Sequence, residues 1–260
     1  MINAKQLINE CVDIIFITFD SLRYDVLANA NMAELNMIVP QWEERHTPAT
    51  FTYAAHHAFF SGFLPTPVHN PTAPRLFAAS FSGSTTTHLN TFTFSESTLP
   101  EALANLGYRT FCIGGVGFFN KASALGSVLP NLFQTSYWHE TTGVTHTHST
   151  ELQVKQAINF LKQDQQPKFL FINVSATHQP TTIYHPAQTS ESTDTQQAAL
   201  EYAQKHIAQL LNWQKGHRKT LVILTSDHGE AFGEDGYHGH RLAHHTVLSV
   251  PYAEFILETP

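Results

Sequence analysis

Thr225-Ser226-Asp227-His228-Gly229-Glu230 follows directly on the apolar run Leu221-Val222-Ile223-Leu224. An earlier apolar run, Ile14-Ile15-Phe16-Ile17-Thr18-Phe19, delivers Asp20, and a third, ending at Val174, is followed by His178. Carboxylate and imidazole donors at strand tips, without thiolates, suit Zn²⁺ or Mn²⁺. Imidazole makes Mg²⁺ and Ca²⁺ poorer candidates. A divalent-metal enzyme is therefore the leading expectation. Either aspartate alone could simply cap a following helix; the Asp-His-Gly-Glu run is what strengthens the joint case.

The elements that must position these residues are short apolar runs at 12–19, 109–113, 168–174, 220–225 and 252–257. Apolar on both faces, they read as central strands of a mostly parallel sheet covered by helices. Helix signals lie between them. Thr98-Leu99-Pro100-Glu101 reads as a cap with an early proline, closed by Gly107. Thr150 with Gln153 reads as a capping box, and a third helix is expected over roughly 195–214. Ligands of open α/β sheets gather beyond the carboxyl ends of the strands, so Asp20, His178, Asp227 and His228 should meet at one edge. Segments 62–95 and 178–194 lack a sustained period and read as long loops beside that edge.

Composition narrows the function classes. A chain of 260 residues with 42% hydrophobic content can bury one large core, so a single α/β domain over 1–260 is expected. A net charge of −7, with the Lys and Arg residues scattered, argues against a nucleic-acid partner. No run approaches the roughly 18 apolar residues of a membrane span. Met1-Ile2-Asn3-Ala4-Lys5-Gln6 lacks the layout of a signal peptide, so a cytoplasmic location is expected. Cys11 and Cys112 read as two buried free thiols. Of 17 histidines, most read as surface polar residues, but five fall between His228 and His245 and stand apart.

With these residues in view, the chain resembles the sulfatase-like hydrolases of the alkaline phosphatase superfamily, closest to an uncharacterised bacterial cytoplasmic group. Ile17-Thr18-Phe19-Asp20-Ser21-Leu22-Arg23-Tyr24-Asp25 is similar to their opening motif. Ser226-Asp227-His228-Gly229-Glu230, with Gly233-Glu234-Asp235-Gly236-Tyr237-His238-Gly239-His240-Arg241 behind it, resembles their C-terminal metal motif. Gly107 to Gly114 is similar to the second signature, and His178-Gln179-Pro180 to a middle His-x-Pro element. The resemblance implies a three-layer sandwich, mostly parallel with helices on both sheet faces, here without the usual C-terminal subdomain. It implies a metal held by Asp20, Asp227, His228 and Thr52, zinc foremost, while the Asp-x-x-x-His pair that would hold a second ion is absent near 175–185.

The nucleophile follows from the same comparison. Counting ten residues back from Gly62 gives Thr52, with Thr50 as the fallback. Thr52 could also simply cap a helix over 53–61. His178 and His240 are implied as catalytic residues at the ester, and His56 and Arg241 as substrate-binding residues that offset phosphoryl charge. The departures from the family matter. Thr cannot become the formylglycine of true sulfatases, and Gly114-Gly115-Val116-Gly117 stands where the second signature continues with Lys and a nearby His. Hydrolysis of a small-molecule phosphate or phosphonate ester therefore moves ahead of sulfate-ester chemistry. A phosphoryl transferase or mutase is the rival enzyme, and an inert metal-binding scaffold or partner subunit the rival from another class.

Overall fold

In the computed structural model of the chain, residues 2–62 and 96–259 are described, with the backbone of Phe77–Ala78 and Phe92–Thr93. The strands in chain order are β1 (Asp13–Phe19), β2 (Glu43–His46), β3 (Phe77–Ala78), β4 (Phe92–Thr93), β5 (Arg109–Ile113), β6 (Thr135–Tyr137), β7 (Lys168–Val174), β8 (Thr220–Thr225), β9 (Ala231–Phe232), β10 (His238–Gly239) and β11 (Ser249–Leu257). Seven of them form one sheet in the order β2-β11-β8-β1-β7-β5-β6. β11 pairs antiparallel with both β8 and β2, so it alone opposes the common direction.

Alternation along β1 divides the core into two layers. Ile15, Ile17 and Phe19 pack with Val154, Ala157, Leu200 and Ile207 from helices Ser149–Leu161 and Thr193–Lys215. Ile14 and Phe16 point the other way, to Phe60 and Leu103 of helices Thr52–Ser61 and Leu99–Asn105. Helices on both faces of a mostly parallel sheet make the alkaline-phosphatase-like sandwich.

The expected strands 109–113, 168–174 and 220–225 match β5, β7 and β8. β11 begins at Ser249, three residues before the expected start, because Ser249 to Tyr252 pair with β2. β2 itself, Glu43-Glu44-Arg45-His46, is exposed along its whole length and shows no apolar signal. Thr98 is the expected cap with its early proline, and it forms a capping box with Glu101. Thr150 and Gln153 form no such box: Ser149 opens that helix, and Gln153 turns inward to donate to the Gly114 and Asn173 carbonyls. Thr193 opens the long helix behind a Ser192–Thr195 box. Cys11 is exposed rather than buried, on a turn with φ +54, whereas Cys112 is buried. The expected loop 178–194 is ordered around a short 3-10 turn, Thr182–Tyr184, and the long helix already starts at Thr193. Residues 63–95 of the other expected loop lie outside the described residues, apart from the parallel pair β3–β4. Among the described residues no helix is long and apolar enough to cross a membrane.

Candidate metal centre and active site

β1 and β8 lie side by side, with Thr18 opposite Thr225, so Asp20 and Asp227 leave the sheet at neighbouring tips. Asp20, Asp227 and His228 are all fully buried, and ligand atoms from the three lie within 4.8 Å of one another. The backbone is bent to hold them. Ser21 takes φ +63, an uncommon conformation for a residue with a side chain. Its N–H donates to Asp227 Oδ1 at 3.1 Å, as does the His228 N–H. Asp227 Oδ2 accepts no hydrogen bond, an unusual state for a buried carboxylate oxygen.

The tautomer of His228 sharpens this. Its Nδ1 lies 2.8 Å from the Gly229 carbonyl, which can only accept, so Nδ1 carries the proton. Burial holds the ring's pKa down at about 3, so the ring is neutral and Nε2 presents its lone pair to the cluster. That lone pair faces Asp227 Oδ2 at 3.4 Å and Asp20 Oδ1 at 3.9 Å. Electron-pair donors from three side chains thus converge on one buried point, an arrangement that suits a divalent cation. Of the two neighbouring carboxyls, Asp227 is the one whose pKa is pushed well up, by burial first and by Asp20 second. The donor set fits a metal ion.

Thr52 completes the cluster. It is the first residue of helix Thr52–Ser61, with Phe51 as the N-cap, so it does not serve as the cap itself. Its Oγ1 lies 3.3 Å from His228 Nε2 and 3.5 Å from Asp20 Oδ2. Thr50 meets the site through its backbone, its carbonyl accepting from the Arg241 N–H at 2.8 Å.

The remaining expected residues divide by depth. The His240 ring lies 4.5 Å from that of His228, and His178 lies 6.1 Å beyond it, centroid to centroid. Both line a cleft of about 670 Å³ together with Glu230, Phe232 and exposed Arg241. His56 sits elsewhere. It is fully buried among Phe59, Phe60, Phe119 and Phe171, and burial holds its pKa down at about 4. A neutral, enclosed ring offers no charge to a phosphoryl group, so the substrate-contact expectation for His56 is withdrawn.

Two site residues have no counterpart among the expected ones. Asn173 donates from Nδ2 to Asp20 Oδ2 at 2.8 Å, while its Oδ1 accepts from the Val116 N–H. A lone amide inside the apolar run Phe169-Leu170-Phe171-Ile172-Asn173-Val174 was the available signal. Glu230, 1% exposed, holds His240 Nδ1 at 2.8 Å through Oε2, and its Oε1 has no hydrogen bond. Arg23, also buried, ties the two motif loops together by donating to Asp25, to Glu234 and to the Glu230 carbonyl. Against partial burial, the Arg23 hydrogen bond holds the Glu234 carboxyl at about 2.

Comparisons with known proteins place the family and the fold. The Sulfatase family model matches residues 13–251, and the chain belongs to that family. Among solved structures, the C-terminal periplasmic domain of the phosphoethanolamine transferase EptC from Campylobacter jejuni is similar at a TM-score of 0.62 and 12% identity, over 94% of this chain and 78% of that one. The EptC domain from Escherichia coli, in complex with zinc, gives 0.66 and 13%, over 94% and 72%. The lipoteichoic acid synthase LtaP from Listeria monocytogenes gives 0.64 and 15%, over 96% and 66%. At these identities the likeness is one of fold. A search of curated proteins returns no match.

Proposed function

We propose that the chain is a metal-dependent phosphoesterase that moves the phosphoryl group of a phosphate or phosphonate ester to Thr52 and then to water. The observation that carries this reading is the approach of Thr52 Oγ1 to His228 Nε2 and the Asp20 carboxylate, beside Asp227 Oδ2, which has no hydrogen bond. Asp20, Asp227, His228 and Thr52 would hold the ion. Zinc leads on donor chemistry, followed by manganese, with magnesium and calcium behind. A bound divalent cation lowers the pKa of a coordinated hydroxyl and offsets charge on phosphoryl oxygens.

The protein's own groups supply the rest. Thr52 sits where the free N–H groups of a helix start favour an anion, so the transferring group meets positive dipoles as its charge is redistributed. The Thr52 oxygen gives up its proton to solvent and forms a bond to phosphorus while the bond to the leaving alcohol breaks; His240 or His178 gives that alcohol a proton and regains one from water. Glu230 orients His240 for the task through Nδ1. Water then breaks the Thr52–phosphorus bond and restores the hydroxyl. Sulfate-ester chemistry that relies on a lysine after the second signature is disfavoured by Gly115: a Cβ there would lie 2.4 Å from the Asn173 carbonyl oxygen, which leaves no room for that side chain.

Metal-loaded protein assayed on aryl phosphate monoesters, diesters and phosphonates should turn over at least one of them. Thr52→Ala should lose on the order of a thousandfold or more, with Thr52→Ser retaining part of the rate. Full turnover by Thr52→Ala would sink the mechanism. A second reading, transfer to an alcohol, is favoured by the fold shared with proteins named phosphoethanolamine transferase. Added alcohols separate the two readings. Product partitioning mainly to the alcohol at modest concentration supports transfer, and release of inorganic product regardless of alcohol supports hydrolysis.

A further inference from the structure

The first turn of helix Thr52–Ser61 bears the nucleophile, yet its N-cap is Phe51, which makes no side-chain hydrogen bond to the turn. The usual device for fixing a helix start is therefore missing where a small displacement matters most. His56 stands in its place. Its Nδ1 lies 2.7 Å from the Thr52 carbonyl, an acceptor only, so Nδ1 carries the proton and donates it. The neutral ring then has one lone pair, on Nε2, which accepts the Thr18 Oγ1 hydrogen at 2.9 Å. Thr18 lies on β1, two residues before the metal-site Asp20, on the same side of the strand. Four phenyl rings hold the imidazole in place: Phe59 and Phe60 from its own helix, Phe171 from β7 and Phe119.

We infer that His56 is a positioning residue, which pins the nucleophile-bearing turn to the end of β1 through the chain Thr18 Oγ1, His56, Thr52 carbonyl. The inference rests on Thr52 being the nucleophile. It gives a buried ring that cannot reach substrate a role in setting the distance from Thr52 Oγ1 to Asp20 and His228. It also explains why a histidine, with one donor and one acceptor on opposite sides of a flat ring, occupies an otherwise aromatic pocket.

The test uses His56→Phe, which keeps a flat ring in the cage but neither hydrogen bond, and Thr18→Val, which keeps shape and loses the hydroxyl. Each should lower kcat by about 10- to 100-fold, with KM and bound zinc at wild-type levels. Because both break one chain, the double variant should fall little further than His56→Phe alone. A rise in KM with kcat unchanged would make His56 a substrate contact and overturn the inference. Fully additive losses in the double variant would also overturn it. If His56→Phe does not fold, Thr18→Val decides: wild-type kcat there overturns the inference. Thr52→Ala assayed alongside separates the two ideas. Retained turnover by Thr52→Ala removes the nucleophile reading. Lost turnover, with His56→Phe and Thr18→Val at wild-type rates, removes only the positioning role.

Discussion

The two ends of β1 each carry a buried aspartate, and the two are treated in opposite ways. At the start of the strand, Asp13 Oδ1 accepts from the Lys168 N–H at 3.0 Å and lies 3.3 Å from Arg218 Nε, while Oδ2 accepts from Gln214 at 3.1 Å. A guanidinium and two hydrogen-bond donors satisfy one carboxylate. At the other end Asp20 and Asp227 share a fully buried space in which the only ion-pair partners among the described residues are histidines. One oxygen there has no hydrogen bond at all. Burying a charge is costly unless it is paired. The first end is a completed structural network, and the second is a donor set that fits a cation.

That contrast can be broken by substitution, most forcefully at the site. Asp227→Ala should cost on the order of a thousandfold in turnover and strip bound metal, whereas Asp13→Asn should leave turnover per folded molecule unchanged. If Asp13→Asn impaired turnover as badly as Asp227→Ala, the division between the ends would fail. Thermal melting sharpens the contrast further. Zinc at a hundredfold excess over its Kd should stabilise the wild type by about 2.7 kcal/mol and leave Asp227→Ala unmoved. An equal shift in the variant would place the ion elsewhere.

Smaller effects belong to the structural end and the motif clamp. Asp13→Asn should lower stability by about 1–3 kcal/mol, read from denaturant midpoints, because Arg218 loses its charged partner and the Lys168 N–H part of its acceptor. The smallest effect is at Glu234, held by Arg23. Its carboxyl is depressed from 4.5 to about 2, so the folded form binds fewer protons than the unfolded chain across that interval. The stabilisation is present above 4.5 and lost as pH falls through about 2. The partly exposed pair should contribute less than about 1 kcal/mol. Glu234→Gln should flatten this part of the stability–pH curve, and an unchanged curve would show that the clamp contributes nothing.

Legibility in the sequence followed the same division. The central strands β5, β7 and β8 could be read residue for residue, because burial on both faces demands continuous apolar runs. The polar edge strand β2 could not, since pairing with β11 is all that makes Glu43–His46 a strand. Asp20, Asp227 and His228 were readable because a strand tip delivers them directly. His56 was misjudged because its spacing from Thr52 places it on the right helix but says nothing of depth; Phe119 and Phe171, distant in sequence, close over it beside Phe59 and Phe60 of its own helix. Gln153 was read as a local cap and is instead drawn inward to Asn173, a tertiary contact that no local motif announces. Asn173 and Glu230 act by orienting other side chains, and that becomes visible only when the partners meet.

The central claim, that the donors at the end of β1 form a metal centre around Thr52, is tested most directly by anomalous diffraction at the zinc edge from zinc-loaded crystals. The account predicts a peak in bonding contact with Asp20, Asp227, His228 and the Thr52 hydroxyl. A peak among His238, His244 and His245 instead, or none at all from protein saturated with zinc, would contradict it.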